Sequence, residues 1–265
     1  MSNGFSFGSY IPGNSPVHRV DPRVKLVLGC AFIVLLLLAK TPAALATAFM
    51  LAAVLYVLAG IPPVKALRSL APLMAIVVIV AVLNLFTQQG GAVMLRLGPL
   101  CISELGVQSA LFMGARLTVM MSGMSLITLT TPTIDLSEAF ESLLSPLARF
   151  GFPAHELGMI MGIALRFMPQ FSSELSTVYH AQISRGARLS NSPVRGVRMV
   201  SSLMVPLFAS VFRHAETLSF AMDARCYHGG QGRTRLHPLK LAPRDAVAVL
   251  VIVAFGVAVV AANAL

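Results

Sequence analysis

In a chain of 265 residues, 56% hydrophobic and only 11% charged residues exclude an ordinary soluble domain and indicate a membrane protein. The formal charge is +10. It is concentrated between Arg185 and Arg244, where ten of the 20 lysines and arginines but only two acids give +8. Because Lys and Arg beside membrane spans are retained in the cytoplasm, this cationic window predicts a large cytoplasmic segment.

Five apolar stretches approach the roughly 20 residues that cross a bilayer. They are about Leu26–Ala39, Ala43–Ile61, Leu70–Phe86, Leu105–Thr131 and Ala246–Leu265. The first and third are short, so we expect flanking residues to extend them. The sequence therefore predicts an all-α polytopic membrane protein with about five transmembrane helices. Residues 26–131 would form the first four helices, and residues 244–265 would form the last.

Basic residues set the expected orientation. Arg19, Arg23 and Lys25 precede the first span, while Lys65 and Arg68 separate the second span from the third. Both groups belong on the cytoplasmic side. We therefore expect a multi-pass protein of the cytoplasmic (inner) membrane whose residues 1–25 form a cytoplasmic N-terminal segment.

Arg116 is a charged residue near the middle of the fourth span, where a charge is costly. A structural pairing is favoured over a direct functional contact. The candidate partners are Asn84, a backbone carbonyl and a partner subunit.

Residues 132–243 are predicted to form a cytoplasmic domain of helices. The first helix has a start signal at Asp135-Leu-Ser-Glu138, and its apolar spacing leaves Glu138 and Glu141 on the wet face. Two longer helical patterns follow, about Ala154–Arg188 and Pro193–Cys226. Their internal prolines, Pro169 and Pro206, are expected to kink them.

The two long helices end in similar sequences. In both, an alanine precedes a small residue by three positions and an arginine by four. The residues are Ala181, Ser184, Arg185 and Gly186 in the first helix and Ala221, Ala224, Arg225 and Cys226 in the second. Small residues allow close approach of a partner to a forked donor, so the repeat predicts docking onto two similar surfaces. The alternative is structural, because arginine complements the helix dipole and Gly186 can serve as a C-cap.

Three sequence elements resemble those of a known family. The stretch from Gly8 to Leu26, with Asp21-Pro22-Arg23, is similar to its N-terminal sequence, and Leu165-Arg166-Phe167-Met168-Pro169 is similar to its Arg-Phe-x-Pro element. The two arginine ends resemble its paired Ala-Arg-Gly motifs, with Ser184 and Cys226 as small-for-small departures. The chain thus resembles the transmembrane T component of energy-coupling factor (ECF) transporters, the EcfT/CbiQ family.

The resemblance implies a non-catalytic energy-coupling subunit of an ATP-driven importer for vitamins or metal ions. Two ABC-type ATPase subunits, identical or different, would each receive one arginine, Arg185 or Arg225. Residues 132–243 would be the coupling domain and would cradle a substrate-binding membrane subunit, the S component. Other residues with implied structural or coupling roles are Asp21, Pro22, Arg23, Arg166, Pro169 and Pro206. Membrane lipids are further expected partners, and nucleic acid is not.

Other functions have little support in the sequence. It contains no Gly-x-x-x-x-Gly-Lys-Ser/Thr loop, so we expect no nucleotide or other cofactor on this chain. His155-Glu156 lacks the second histidine of a metalloprotease motif, and an intramembrane enzyme is a remote option. The interiors of the spans lack acids, which weakens a proton-driven carrier. The alternative function is a self-sufficient channel or carrier whose cationic window forms a lipid-binding cytoplasmic gate.

Overall fold

The computed structural model describes residues 10–88, 90, 93–97, 100–186, 193–227, 229 and 242–264. Helices dominate these residues, which confirms the all-α prediction. They are α1 (Pro22–Leu38), α2 (Pro42–Ala59), α3 (Pro63–Thr87), α4 (Glu104–Thr130), α5 (Thr133–Leu144), α6 (Ala154–Ser184), α7 (Pro193–Ala224) and α8 (Pro243–Ala264). A short antiparallel hairpin of β1 (Val93–Leu97) and β2 (Leu100–Ser103) joins α3 to α4.

The described residues fall into two compact units. One contains residues 10–139 and 242–264, and the other contains residues 140–229. The first unit holds α1 to α4 and α8, and the second holds α6 and α7. Helix α5 begins in the first unit and ends in the second.

Four helices of the described chain are long and apolar enough to cross a membrane, namely α2, α3, α4 and α8. Helix α3 has 25 residues because it recruits the flanking segment, as the sequence predicts for a short span. Helix α1 also starts earlier than its apolar core, at Pro22, yet has only 17 residues. Its length is about 25 Å, at the lower limit for a span, and its crossing of the membrane stays a prediction.

Proline and a capping side chain define several helix starts. Helices α1, α2 and α3 begin at Pro22, Pro42 and Pro63, positions where the missing N–H would have no helical partner. The Asp21 carboxylate accepts a hydrogen bond from the backbone N–H of Arg23 at 2.9 Å. These local signals explain why the helices begin where they do.

Small residues let the first unit pack closely. Ala44, Ala48 and Ala52 recur every four residues along α2 and are buried, the small-xxx-small spacing that brings membrane helices together. A Cβ added at Gly106 of α4 would lie 2.7 Å from the carbonyl oxygen of Leu85 in α3. Close contact between backbones therefore sets the α3–α4 pairing.

A buried lysine joins the chain segments at one end of this unit. Lys25 is only 8% exposed, and its ammonium donates hydrogen bonds to the carbonyl oxygen of His18, the carbonyl oxygen of Thr130 and the hydroxyl of Thr131. The distances lie between 3.1 and 3.2 Å. Lys25 thereby ties the start of α1 to the end of α4 and to the preceding segment.

A buried aspartate completes the same junction. Asp245, in the first turn of α8, accepts hydrogen bonds from the backbone N–H groups of Asp21 at 2.9 Å and Ala242 at 2.7 Å. Asp21, Asp135 and Asp245 also act electrostatically on the Lys25 ammonium. These carboxylates thus offset part of the cost of burying the Lys25 cation.

Arg116 has a backbone partner. Its guanidinium donates a hydrogen bond to the carbonyl oxygen of Ala39 and lies 4.7 Å above the ring centroid of Phe112. Asn84, a predicted candidate partner, instead donates to the carbonyl oxygen of Val80 on its own helix. Of the candidate partners, the structure thus shows a backbone carbonyl, and the preference for a structural role stays a prediction.

Two details of the predicted domain of residues 132–243 are wrong. Helix α5 begins at Thr133, so Asp135 lies inside its first turn and does not start it. Glu141 does not face water freely, because its carboxylate lies 3.1 Å from the Nδ1 atom of His155 and only 16% of the side chain is exposed. The spacing of α5 gave its period correctly but could not reveal a partner on α6.

We expect Lys25→Met to destabilise the chain by about 1–3 kcal/mol, because two carbonyl groups and a hydroxyl would lose their buried donor. Lys65→Met is the matched control, since Lys65 is exposed at the start of α3, and it should change stability by about 0.5 kcal/mol or less. Thermal unfolding in detergent, followed by circular dichroism, measures both. Equal melting temperatures for the two variants would contradict the role of the junction.

Candidate functional site

The predicted functional residues of the second unit lie on α6 and α7, which pack antiparallel. Glu174 of α6 contacts Ser210 and His214 of α7, and Gln182 of α6 donates to the carbonyl oxygen of Ser202. Later residues of α6 therefore contact earlier residues of α7, as in any antiparallel pair. Both helices continue through their internal prolines, Pro169 and Pro206, and each proline removes one backbone hydrogen bond. The predicted kinks stay predictions.

A polar and aromatic cluster fixes the two helices against each other. The Glu174 carboxylate accepts hydrogen bonds from the Ser210 hydroxyl at 2.8 Å and from His214 Nε2 at 2.8 Å. Phe167 stacks on Phe171 at 5.9 Å and on the His214 ring at 6.3 Å between centroids. We call Phe167, Phe171, Glu174, Ser210 and His214 the α6–α7 clamp.

The clamp also perturbs its carboxylate. The hydrogen bond from Ser210, and then that from His214, hold the pKa of Glu174 below its ordinary value of 4.5. The charged form of Glu174 is therefore the one that the helix pair favours.

The two predicted arginine motifs end their helices in the same backbone geometry. After α6, Gly186 has a φ of +86° and its N–H donates to the carbonyl oxygen of Ile183. After α7, Cys226 has a φ of +53° and its N–H donates to the carbonyl oxygen of Asp223. Both are left-handed C-cap positions, at which glycine is common and another residue is rare. We call Arg185-Gly186 and Arg225-Cys226 the arginine turns.

The residue at this position differs between the two turns. Cys226 is a non-glycine residue at positive φ, so the backbone enters the left-handed region there, as at Gly186, despite the extra Cβ. The two sequences differ, but in both the arginine is followed by a residue in the left-handed region.

Both arginine turns are open to a partner. Arg185 and Arg225 are exposed, and in the described part of the chain no hydrogen bond or ion pair holds either guanidinium. The small residues of the motifs are exposed too: Ala181, Ser184, Gly186, Ala221, Ala224 and Cys226. The side chains are thus available to carboxylates or carbonyls of another molecule.

The antiparallel packing separates the two arginine turns. Arg185 lies eleven residues beyond Glu174, and Arg225 lies fifteen residues beyond Ser210, in the opposite direction. At a rise of about 1.5 Å per residue, the turns are on the order of 40 Å apart. They can therefore contact two separate partner surfaces and do not form one site.

The other predicted residues have separate positions. Arg166 is exposed on α6, beside the clamp residue Phe167. Asp21, Pro22 and Arg23 belong to the other unit, where they cap and begin α1. The Nε atom of Arg23 is buried without a hydrogen-bond partner in the described structure.

Sequence analysis missed the clamp and the pair of Glu141 with His155. The local signal was weak, because Glu174 lies beside Ser173 and His214 beside Arg213 in mixed polar and apolar sequence. Their pairing joins positions 40 residues apart and is not visible in local spacing. Among the described residues there is no group of three His, Cys, Asp or Glu residues that could hold a metal ion.

Comparison with known proteins gives consistent similarities over nearly the whole chain. The CbiQ family, described as cobalt transport protein, matches residues 13–236. The energy-coupling factor transporter transmembrane protein EcfT of Thermosediminibacter oceani is 44% identical over 246 residues, covering 92% of both chains. The protein of the same name from Brevibacillus brevis is 40% identical over 254 residues, covering 95% of both.

A third relative is a longer protein. It comes from Bifidobacterium longum, is named as an ABC transporter ATP-binding protein and is 35% identical over 252 residues. The match covers 94% of this chain but only 32% of that protein. With the helices, the spans and these similarities together, the chain belongs to the EcfT/CbiQ family and is a transmembrane T component of energy-coupling factor transporters.

Proposed function

We propose that this chain is the non-catalytic energy-coupling subunit of an ATP-driven importer and that its two arginine turns receive two cytoplasmic ATPase subunits. The observation that carries the proposal is the pair of exposed arginines on equivalent left-handed turns, at opposite ends of one antiparallel helix pair. One rigid element then contacts two similar partners at once. The vitamin or metal ion would be bound by another subunit.

Charge supports a cytoplasmic position for the arginine turns. The window from Arg185 to Arg244 carries a formal charge of +8. Lys65 and Arg68 at the start of α3 belong on the same side as the basic residues before α1. The N-terminus and the arginine turns would then share the cytoplasm with the ATPases.

The relative from Bifidobacterium longum favours an ATPase partner. That protein bears the name of an ATP-binding protein, and about a third of it resembles this chain. Residues beyond the matched region are available for nucleotide binding, for which this sequence has no phosphate-binding loop. Two functions joined in one relative favour their association here as separate chains.

An exposed apolar face of α7 fits a membrane-embedded partner. Val205, Phe208 and Phe212 recur at helical spacing and are 70%, 57% and 70% exposed. Large apolar groups exposed on one side of a helix mark an interaction surface. We assign this face to the substrate-binding S component, so that α7 would contact that subunit along its length and an ATPase at its end.

The clamp supplies the mechanical link in this proposal. Since Glu174 and His214 join α6 to α7, displacement of one arginine turn by an ATPase would move both helices together. An S component bound to α7 would then tilt together with the helix pair. The substrate site itself needs no residue of this chain.

We expect the chain with Arg185→Glu and Arg225→Glu to lose both ATPase subunits during detergent purification. Each ATPase surface that receives an arginine would instead meet a carboxylate, which is a like or unpaired charge there. The matched control is Arg149→Glu with Arg213→Glu, which makes the same charge change at two other exposed arginines of this unit. Subunit stoichiometry after affinity purification measures the effect, and circular dichroism checks the fold. Retention of both ATPases at the wild-type ratio would refute the docking role.

We expect Gly186→Ala to destabilise the chain by about 1 kcal/mol, because an L side chain is disfavoured at a φ of +86°. Gly162→Ala is the control with the opposite sign. Gly162 lies inside α6 with open space around it, so alanine should stabilise the helix by about 0.5–1 kcal/mol. Thermal unfolding of the two variants measures both. Shifts of the same sign would contradict the left-handed turn.

We expect Glu174→Gln to lower the melting temperature at neutral pH, because the favoured carboxylate of the clamp is lost. The depressed pKa of Glu174 means that its stabilisation is present above its ordinary value of 4.5 and disappears as pH falls through the lower folded value. The difference between wild type and variant should therefore shrink in acid. Glu216→Gln, at an exposed acid on α7, should show no such pH-dependent difference.

A further inference from the structure

The first unit contains a cavity of about 320 Å³ between α1, α2, α4 and α8. Its polar end lies where α1 and α8 begin, at Lys25 and Arg244. Its far end lies deeper along the helices, at Phe32 of α1 and Ile252 of α8. Along α8 the lining from Arg244 to Ile252 extends about 12 Å, close to the roughly 15 Å of hydrocarbon in one leaflet.

The wall of the cavity suits a hydrocarbon occupant. Most of its lining is aliphatic or aromatic, and the polar side chains among the lining residues are mostly engaged elsewhere. The Tyr56 hydroxyl donates to the carbonyl oxygen of Ser122, and Thr130 donates to that of Ile127. Lys25 donates to two carbonyls and a hydroxyl. Stable water would need two to four polar partners, which this wall does not offer.

Arg244 differs from these groups. Its side chain is exposed, and no hydrogen bond or ion pair holds it within the described residues. The neighbouring Asp245 is buried and directs its carboxylate to the backbone N–H groups of Asp21 and Ala242. The guanidinium at the mouth of the apolar cavity is therefore free to meet an anion.

The cavity is accessible from the surface of the unit, which suits entry of a lipid chain. Leu58, Val247 and Val251 line it and are 51%, 60% and 37% exposed, so the cavity opens on the surface of the unit. An acyl chain that enters from this side would meet apolar lining residues, and its headgroup phosphate would meet Arg244.

We propose that this cavity binds one anionic phospholipid, with an acyl chain between the four helices and the phosphate at Arg244. Charge complementarity places the headgroup, and the apolar wall accepts the chain. The bound lipid would fill the space between α8 and the other helices and stabilise their packing. This site is independent of the arginine turns and of the ATPases.

The full chain, purified and delipidated in detergent, tests the proposal by native mass spectrometry. Phosphatidylglycerol and phosphatidylcholine with the same acyl chains are the two probes, and inorganic phosphate is the competitor. We expect one phosphatidylglycerol to bind about fivefold more tightly than phosphatidylcholine. Arg244→Gln should remove this preference, whereas Arg68→Gln, at another exposed arginine beside the spans, should preserve it.

A second pair of variants tests the cavity itself. Ala248 lines it, so Ala248→Phe should abolish binding of both lipids, while Ala254→Phe changes the same helix at an exposed position outside the lining and should bind as wild type. If Ala248→Phe fails to fold, photocrosslinking of wild-type chain with a diazirine-bearing phosphatidylglycerol replaces it. Crosslinks should concentrate in residues 247–252 and 123–127.

Three results would overturn the proposal. They are equal affinity for the two lipids, displacement of phosphatidylglycerol by inorganic phosphate, and crosslinks spread evenly over α3 and the cavity helices. The first would deny the headgroup contact, the second would indicate a plain anion site, and the third would indicate only a general lipid coat. None of them depends on whether ATPases bind the arginine turns.

Discussion

The buried ammonium of Lys25 is the interaction on which the helix arrangement of the first unit depends. Lipid tails are as apolar as the helices, so hydrophobic burial does little to choose among helix arrangements inside a bilayer. Polar contacts and close packing make that choice. Lys25 connects the end of α4 to the start of α1, and Asp245 connects the start of α8 to Asp21. These contacts hold the ends of α1, α4 and α8 in one arrangement.

Small residues complement this junction along the helix axes. A Cβ added at Gly29 of α1 would lie 2.2 Å from the Ile127 side chain on α4. A Cβ added at Gly123 of α4 would lie 2.6 Å from the Phe32 ring on α1. The two glycines lie on opposite helices, so each accepts a large side chain from the other. The same helices also border the cavity, which means that one region combines tight crossings with an unfilled apolar space. A lipid chain in that space would complete the packing that the side chains leave open.

Much of this architecture could be predicted from local sequence. Prolines 22, 42, 63, 193 and 243 each begin a helix. The apolar stretches gave α2, α4 and α8 to within a few residues, whereas α3 begins seven residues before its apolar stretch. The repeated arginine spacing located both turns. What could not be predicted were contacts between distant positions. Lys25 and Thr130 are 105 residues apart, and nothing in the flanking sequence of either residue indicates that they are in contact. The start of α5 was misassigned to Asp135 for a related reason. The sequence offers a local N-cap there, but the helix begins at Thr133.

The arginine turns show that a glycine and a cysteine can both occupy a left-handed position after a helix. A glycine reaches positive φ at little cost, whereas Cys226 keeps a Cβ in a region that disfavours it. The chain keeps the left-handed backbone after Arg225 despite the strain at Cys226, as it does after Arg185 at Gly186. Since the clamp fixes α6 against α7 between them, the two guanidinium groups are held at a set separation by a single element. Two similar ATPases would then contact similar turns of one helix pair. The difference between residues 186 and 226 would allow the two ATPase surfaces to differ in detail.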